Sequence, residues 1–171
     1  MFNKNIKLII TALLILFSIY QFYEGYIGNG IFILLFSLIF IFLYFRNELI
    51  LLAFLRMRKQ DMDGTEKWLS RIKNPKGALT TKQQGYYNYL YGIIFSQKNL
   101  TQAEKYFKKA LKLGLNMDYD VAMAKLSLAG IAMQKRRKRE ATTLLQEAKK
   151  LDKNNMLTEQ IKMMQQQMKK I

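Results

Sequence analysis

"YNYLYGIIFSQKNLTQAEKYFKKALKLG" occupies residues 87–114, and 38 residues further on the chain reads "KLSLAGIAMQKRRKREATTLLQEAKKLD" at 125–152. At that offset Leu90 falls on Leu128, Gly92 on Gly130, Ile93 on Ile131, Ala103 on Ala141, Ala110 on Ala148 and Lys112–Leu113 on Lys150–Leu151, while Phe107 meets Leu145. Self-similarity at a period of about 20–50 residues marks stacked supersecondary units. Each copy has two apolar-periodic runs around a polar turn. In the second run of the first copy, Ala103, Tyr106/Phe107, Ala110 and Leu113 follow at the three- and four-residue spacing of one helix face. Thr101 and Glu104 have capping-box spacing ahead of that run, and Thr81 and Gln84 have it ahead of the preceding helix. Gly114 is placed as a left-handed stop, with Leu115 beside it for the accompanying apolar contact. The small residues let two antiparallel helices approach closely.

This pattern resembles the tetratricopeptide repeat family, in which Leu and a small residue of one helix pack on Ala, an aromatic and Ala of the next. Ala103, Phe107 and Ala110 match, as do Ala141, Leu145 and Ala148; Leu128 and Ala129 fit the first helix of the second copy. Tyr87 and Leu90 fit the large positions of the first copy, but Tyr91 stands where the family has a small residue and Gly92 comes one residue late. The period also exceeds the family's usual one of about 34, with the excess in "NMDYD", residues 116–120. A step back of 38 residues reaches Leu52, Thr65, Leu69 and Ile72, followed by Asn74–Pro75, which reads as a degenerate third copy with Asp63 and Glu66 capping its second helix. The expected repeats are 48–75, 84–117 and 122–155 within a region 47–155, and an unrelated helical bundle is the alternative. In the family, first-helix residues line a peptide-holding groove. The resemblance thereby implies groove roles for Asn88, Phe95, Ser96, Met123, Leu126, Met133 and Gln134. Such a Met-rich surface would be adaptable. Of the family's Lys/Asn carboxylate clamp only Asn88 has a counterpart.

After the repeats, "LTEQIKMMQQQMKKI" aligns Leu157, Ile161, Met164, Met168 and Ile171 on one helix face. Residues 156–171 are therefore expected to form an amphipathic helix that caps the array or fills its groove, with a short coiled-coil or partner-binding helix as the alternative.

The first quarter of the chain has another character. Residues 1–45 carry Lys4, Lys7 and Glu24 and no other charge. "LIITALLILFSIYQFY" at 8–23 and "GYIGNGIFILLFSLIFIFLYF" at 25–45 are uncharged, and a spanning helix needs about 17–25 mostly apolar residues. Spans at 6–23 and 27–45 are expected, joined at "EGYIGNG", with Lys7 snorkelling toward the headgroups and Tyr20, Tyr23, Tyr26 and Tyr44 near the interfaces. A cleavable signal is disfavoured because Gln21, Phe22, Tyr23 and Glu24 follow the first run instead of a small-x-small site. A re-entrant hairpin and a pair of soluble core helices are the other readings. Lys4 and Lys7 precede the hairpin, and Arg46, Arg56, Arg58 and Lys59 follow it. Positive-inside bias then puts both termini in the cytoplasm, in a multi-pass protein of the cytoplasmic (inner) membrane. Lys-, Asn-, Ile- and Phe-rich, Pro-poor usage suggests a bacterial source.

With no Cys and no His, disulfides, Cys/His zinc sites, thiol nucleophiles and His acid–base catalysis are excluded. No Gly-rich phosphate loop or carboxylate constellation stands out, so the chain is expected to be a non-enzyme without cofactor or metal. Residues 46–171 hold 26 basic and 11 acidic residues, a net of +15. Its densest part is Lys135, Arg136, Arg137, Lys138 and Arg139. The 38-residue register puts these five at the turn between two helices, with Glu140 leading the second helix, where acid suits the dipole. The first copy folds without them, so the run is expected to be dispensable for folding and open to a protein partner, anionic lipid or RNA, or to be merely solvated. The sequence thus reads as all-α: a two-helix transmembrane hairpin (1–46) contacting the bilayer through 6–45, a short tetratricopeptide-like solenoid and a C-terminal capping helix. The expected role is a membrane-anchored adaptor or scaffold that binds a protein of a membrane assembly. A tethered RNA-, ribosome- or anionic-lipid-binding protein is the alternative, and self-association through the hairpin or C-terminal stripe is a further expectation.

Overall fold

Helix α1 (Lys4–Tyr23) and helix α2 (Ile27–Phe45) are apolar along nearly their whole length and are joined by a turn in which Gly25 takes φ +81°. They belong to a computed structural model that describes residues 4–45 and 47–168. Arg46 and Ile171, which the sequence reading used, lie outside the described residues, as does the Lys4 side chain. The described residues form ten helices and no strand. They divide into two units, Met1–Gln83 and Gln84–Ile171.

In the first unit α1 and α2 run antiparallel. The Ser18 hydroxyl donates to the Gly30 carbonyl at 2.7 Å, and Lys7 Nζ donates to the Leu43 carbonyl at 3.2 Å. Thr11, Ser18 and Ser37 are buried, and each bonds a backbone carbonyl. Small polar side chains with internal partners are what a helix pair can bury in an apolar solvent. Large side chains such as Leu13, Leu16 and Phe32 point outward. Only 17% of the apolar window of α1 and 11% of that of α2 is buried, so neither is a core helix of the described residues; both are long and apolar enough to cross a membrane. Lys7 does not reach outward as expected. It is buried, pairs with Glu48 and bonds the Leu43 carbonyl, because a cation at the base of a helix pair is better satisfied by a carboxylate and a free helix-end carbonyl than by extension.

Helix α3 (Glu48–Arg58) starts after Asn47, whose side chain accepts from the Leu49 and Ile50 amides. Helix α4 (Met62–Ser70) packs against it and buries Thr65 and Leu69. Its cap is Asp61, which accepts from Gly64 N at 2.7 Å, and not the expected Asp63 and Glu66. Pro75 opens a short helix, α5 (Pro75–Ala78), behind the Asn74 cap. The box expected at Thr81 and Gln84 lies one residue earlier: Thr80 N donates to Gln83 Oε1 at 2.9 Å and Gln83 N to Thr80 Oγ1 at 3.4 Å.

Helix α6 (Thr81–Lys98) leads into the second unit, followed by α7 (Leu100–Leu113), α8 (Asp118–Gln134), α9 (Lys138–Leu151) and α10 (Thr158–Met168). Ala103, Phe107 and Ala110 are fully buried, and their counterparts Ala141, Leu145 and Ala148 are buried to 1% exposure or less. Gly92 is required here, since a Cβ would come within 2.7 Å of the Phe107 ring, and a Cβ on Gly85 would come within 2.2 Å of the Gly114 carbonyl. Gly114 itself stops α7 with φ +89° and ψ 140°, a glycine-favouring conformation that is extended and not left-handed helical. The cap of α7 is Asn99, accepting from Thr101 and Gln102 N at 3.1 Å each; Thr101 sits inside the helix instead of ahead of it.

The 38-residue period appears in the backbone. Helices α4, α7 and α9 begin at Met62, Leu100 and Lys138, each after a cap at Asp61, Asn99 or Arg137. Gln60 (φ 59°) and Arg136 (φ 57°), two periods apart, take the same left-handed conformation. In the first of these turns Gln60 N bonds Met57 O and Asp61 N bonds Arg56 O; in the other, Arg136 N bonds Met133 O and Arg137 N bonds Ala132 O. Both are Schellman-type closures.

Candidate partner-binding surfaces

The seven groove positions do not form one open face. Asn88 is buried and donates to the Gln84 carbonyl at 2.6 Å, and Leu126 and Met133 are buried on α8. Leu126 shares a cluster with Leu157 and Ile161, and Met133 packs with Met164 and Met168, so α10 covers this side of α8. Met123 is half-buried against the same cluster, Phe95 is half-buried, and Ser96 and Gln134 are exposed. Met164 also reaches the Cα side of Gly130, where a Cβ would stand 3.4 Å from its methyl.

Phe95 belongs to an aromatic ladder that the sequence reading did not assemble. Tyr87, Tyr91 and Phe95 are four residues apart on α6, with Tyr87 edge-on to Tyr91 at 4.9 Å. Tyr106 of α7 stacks on both Tyr91 and Phe95 at 5.3 Å. Tyr91, out of place for the family pattern, is the middle rung. The i, i+4, i+8 spacing was the available signal. A second missed element is Tyr86, whose hydroxyl donates to Asp120 Oδ2 at 2.6 Å and accepts from Asn116 N at 3.2 Å. Burial and this bond push its pKa up to about 12. It ties α6 to the start of α8 and orders the longer connection at 116–120.

The basic run divides into two groups. Helix α9 begins at Lys138, so only Lys135, Arg136 and Arg137 form the turn; Lys138 and Arg139 stand in the first helical turn, where positive charge opposes the dipole and Glu140 offsets it in part. Glu104 of α7 binds Lys108 at 2.7 Å, Lys135 at 2.7 Å and Arg137 at 2.9 Å. Arg137 also pairs with Glu140 at 3.2 Å, and Lys108 with Glu140 at 3.5 Å. Hydrogen bonds from Lys108 and Lys135, and then Arg137, hold the Glu104 carboxyl down at about 2. The reading of the run as merely solvated is therefore corrected for Lys135 and Arg137, whose ion pairs with Glu104 join α7 to the turn between α8 and α9. Arg136, Lys138 and Arg139 are exposed and form no ion pair among the described residues.

Compared with known proteins, the chain matches no family model, no curated protein and no solved structure. The likeness to tetratricopeptide repeats thus rests on its own residues.

Proposed function

We propose that the chain is a membrane-anchored adaptor: α1 and α2 span the cytoplasmic membrane as a hairpin, and a short tetratricopeptide-like array presents a basic corner to an acidic surface of a partner protein. The observation that carries this reading is the union of two helices with outward apolar faces and a body built on one recurring helix–turn–helix unit. Lys7 bonding Leu43 and Glu48 supports both ends of the hairpin lying on one side. Lys4 and Lys7 before the hairpin and Arg46, Arg56, Arg58 and Lys59 after it, with no Lys or Arg in the turn between the helices, support that side being cytoplasmic. Because α10 covers Leu126 and Met133, the contact surface is assigned to the corner at Gln134, Arg136, Lys138 and Arg139 and not to an open groove.

Crosslinking of the full chain in native membranes tests the proposal. A defined protein crosslinked through the corner, and lost on changing Arg136, Lys138 and Arg139 to Gln, is the expected result; crosslinks to lipid and to itself alone would refute an adaptor role. The same three exposed cations favour one second reading, RNA or anionic-lipid binding through phosphates. It predicts affinity that falls steeply with salt.

A further inference from the structure

Between its charged ends, Glu48 and Arg56/Arg58, helix α3 carries only apolar residues, Leu49 to Leu55, yet these are covered on one side only. Ile50 and Ala53 are buried in the packing with α4, whereas Leu51, Leu52 and Leu55 stand 42%, 36% and 50% exposed on the opposite face. A second apolar face of this kind, left exposed, marks a contact with a partner or a membrane. That face begins close to the end of α2. Asn47, at φ −63° and ψ 127°, breaks the helix and turns the chain, and Glu48 pairs with Lys7, which also bonds the Leu43 carbonyl. Gln83 donates to the Tyr44 carbonyl at 2.8 Å, so the same helix end is held from a second segment of the unit. The start of α3 is thereby fixed at the level where the apolar run of α1 begins and that of α2 ends. Its last turn is basic. Arg56 is paired with Asp61, while Arg58 and the following Lys59 are exposed and form no ion pair among the described residues.

From this we infer that α3 is an interfacial helix, with Leu51, Leu52 and Leu55 seated at the boundary of headgroups and acyl chains and Arg58 and Lys59 on anionic phospholipid phosphates. The inference rests on the spanning reading of α1 and α2 and adds to it a third, in-plane contact. Its chemistry fits: apolar residues on one side enter by roughly 5–10 Å, and cations flank them at the phosphate level. Were α3 instead to continue away from the membrane, Leu55 would stand roughly 10 Å further from the interface than Glu48, at 1.5 Å of rise per residue, with its exposed face uncovered among the described residues. The degenerate character of this first repeat has the same origin, since its first helix serves the bilayer as well as α4.

The chain has no Cys, so single labels are unambiguous. Full-length Leu55→Cys, carrying an environment-sensitive fluorophore, is reconstituted in phosphatidylcholine–phosphatidylglycerol vesicles and exposed to lipid-borne spin quenchers and to aqueous iodide. Ile39→Cys on the outward face of α2 and Ser70→Cys on the exposed side of α4 are the references. The inference predicts quenching by shallow spin-labelled lipid at position 55, protection from iodide, and the reverse at 70. Leu51→Cys repeats the test should the first variant fold poorly. Iodide quenching at 55 with lipid quenching at 39 overturns the interfacial helix and leaves the spans standing; shielding of 55 from both quenchers assigns the face to protein and overturns it as well. Iodide quenching at 39 overturns the spanning reading itself, and the inference with it.

Discussion

The pairs α6/α7 and α8/α9 repeat one plan and secure their turns in opposite ways. In the first, Asn99 caps α7 through two backbone amides, and the turn carries little charge. In the second, Arg137 stands at the cap position and makes no side-chain cap, Arg136 is left-handed, and two cations lie in the first turn of α9. Local rules disfavour the second turn. It is held by Glu104, which reaches across from the first pair to Lys135 and Arg137. The difference shows that a locally unfavourable turn can persist when a neighbouring repeat supplies its partner. It also separates two ion-paired cations from three that form no ion pair among the described residues.

The comparison can be broken at its core first. Phe107→Ala should destabilise the full chain by about 3–5 kcal/mol and Leu145→Ala by about 2–5 kcal/mol, since both side chains are essentially fully buried at equivalent positions. Denaturant unfolding in detergent micelles, followed by circular dichroism, measures both; near-zero loss at either would mean that the two pairs do not share a register. Next, Glu104→Gln should cost about 1–3 kcal/mol, because it weakens hydrogen bonds to several cations at once. The sign with pH follows from the lowered carboxyl. Its contribution is fully present above the ordinary 4.5 and is lost as pH falls toward about 2. An acid titration of stability should therefore be flatter over that window in the variant than in the parent.

Smaller effects sharpen the contrast between the turns. Asn99→Ala should cost about 1 kcal/mol, as loss of an N-cap does, with no change in salt dependence. Exchange of Arg136, Lys138 and Arg139 together for Gln should stay within about 0.5 kcal/mol, whereas Lys135 and Arg137 exchanged for Gln should cost more and lose that difference at high salt. Thermal unfolding at low and high ionic strength distinguishes the two sets.

Much of the helical frame was legible because periodicity and small-residue spacing are local signals. The buried Ala103–Phe107–Ala110 face and its copy, and the two apolar N-terminal helices, follow from pattern alone. Cap assignments slipped by one or two residues because Thr80, Thr81, Asn99 and Thr101 all have cap chemistry, and tertiary geometry chooses among neighbours. The candidate surfaces were less legible. Burial of Leu126 and Met133 depends on where α10 lies, and the roles of Lys135 and Arg137 depend on a carboxylate more than 30 residues away. Lys7 likewise finds Glu48 only through the folded hairpin.

The central claim is that α1 and α2 remain in the chain as paired membrane spans. Alkaline carbonate extraction of membranes, combined with intact mass measurement, tests it directly. For the 171 residues expressed as such, the account predicts a membrane-retained product at the full 20.2 kDa; a shorter product that has lost α1 and is released into the soluble fraction would contradict it.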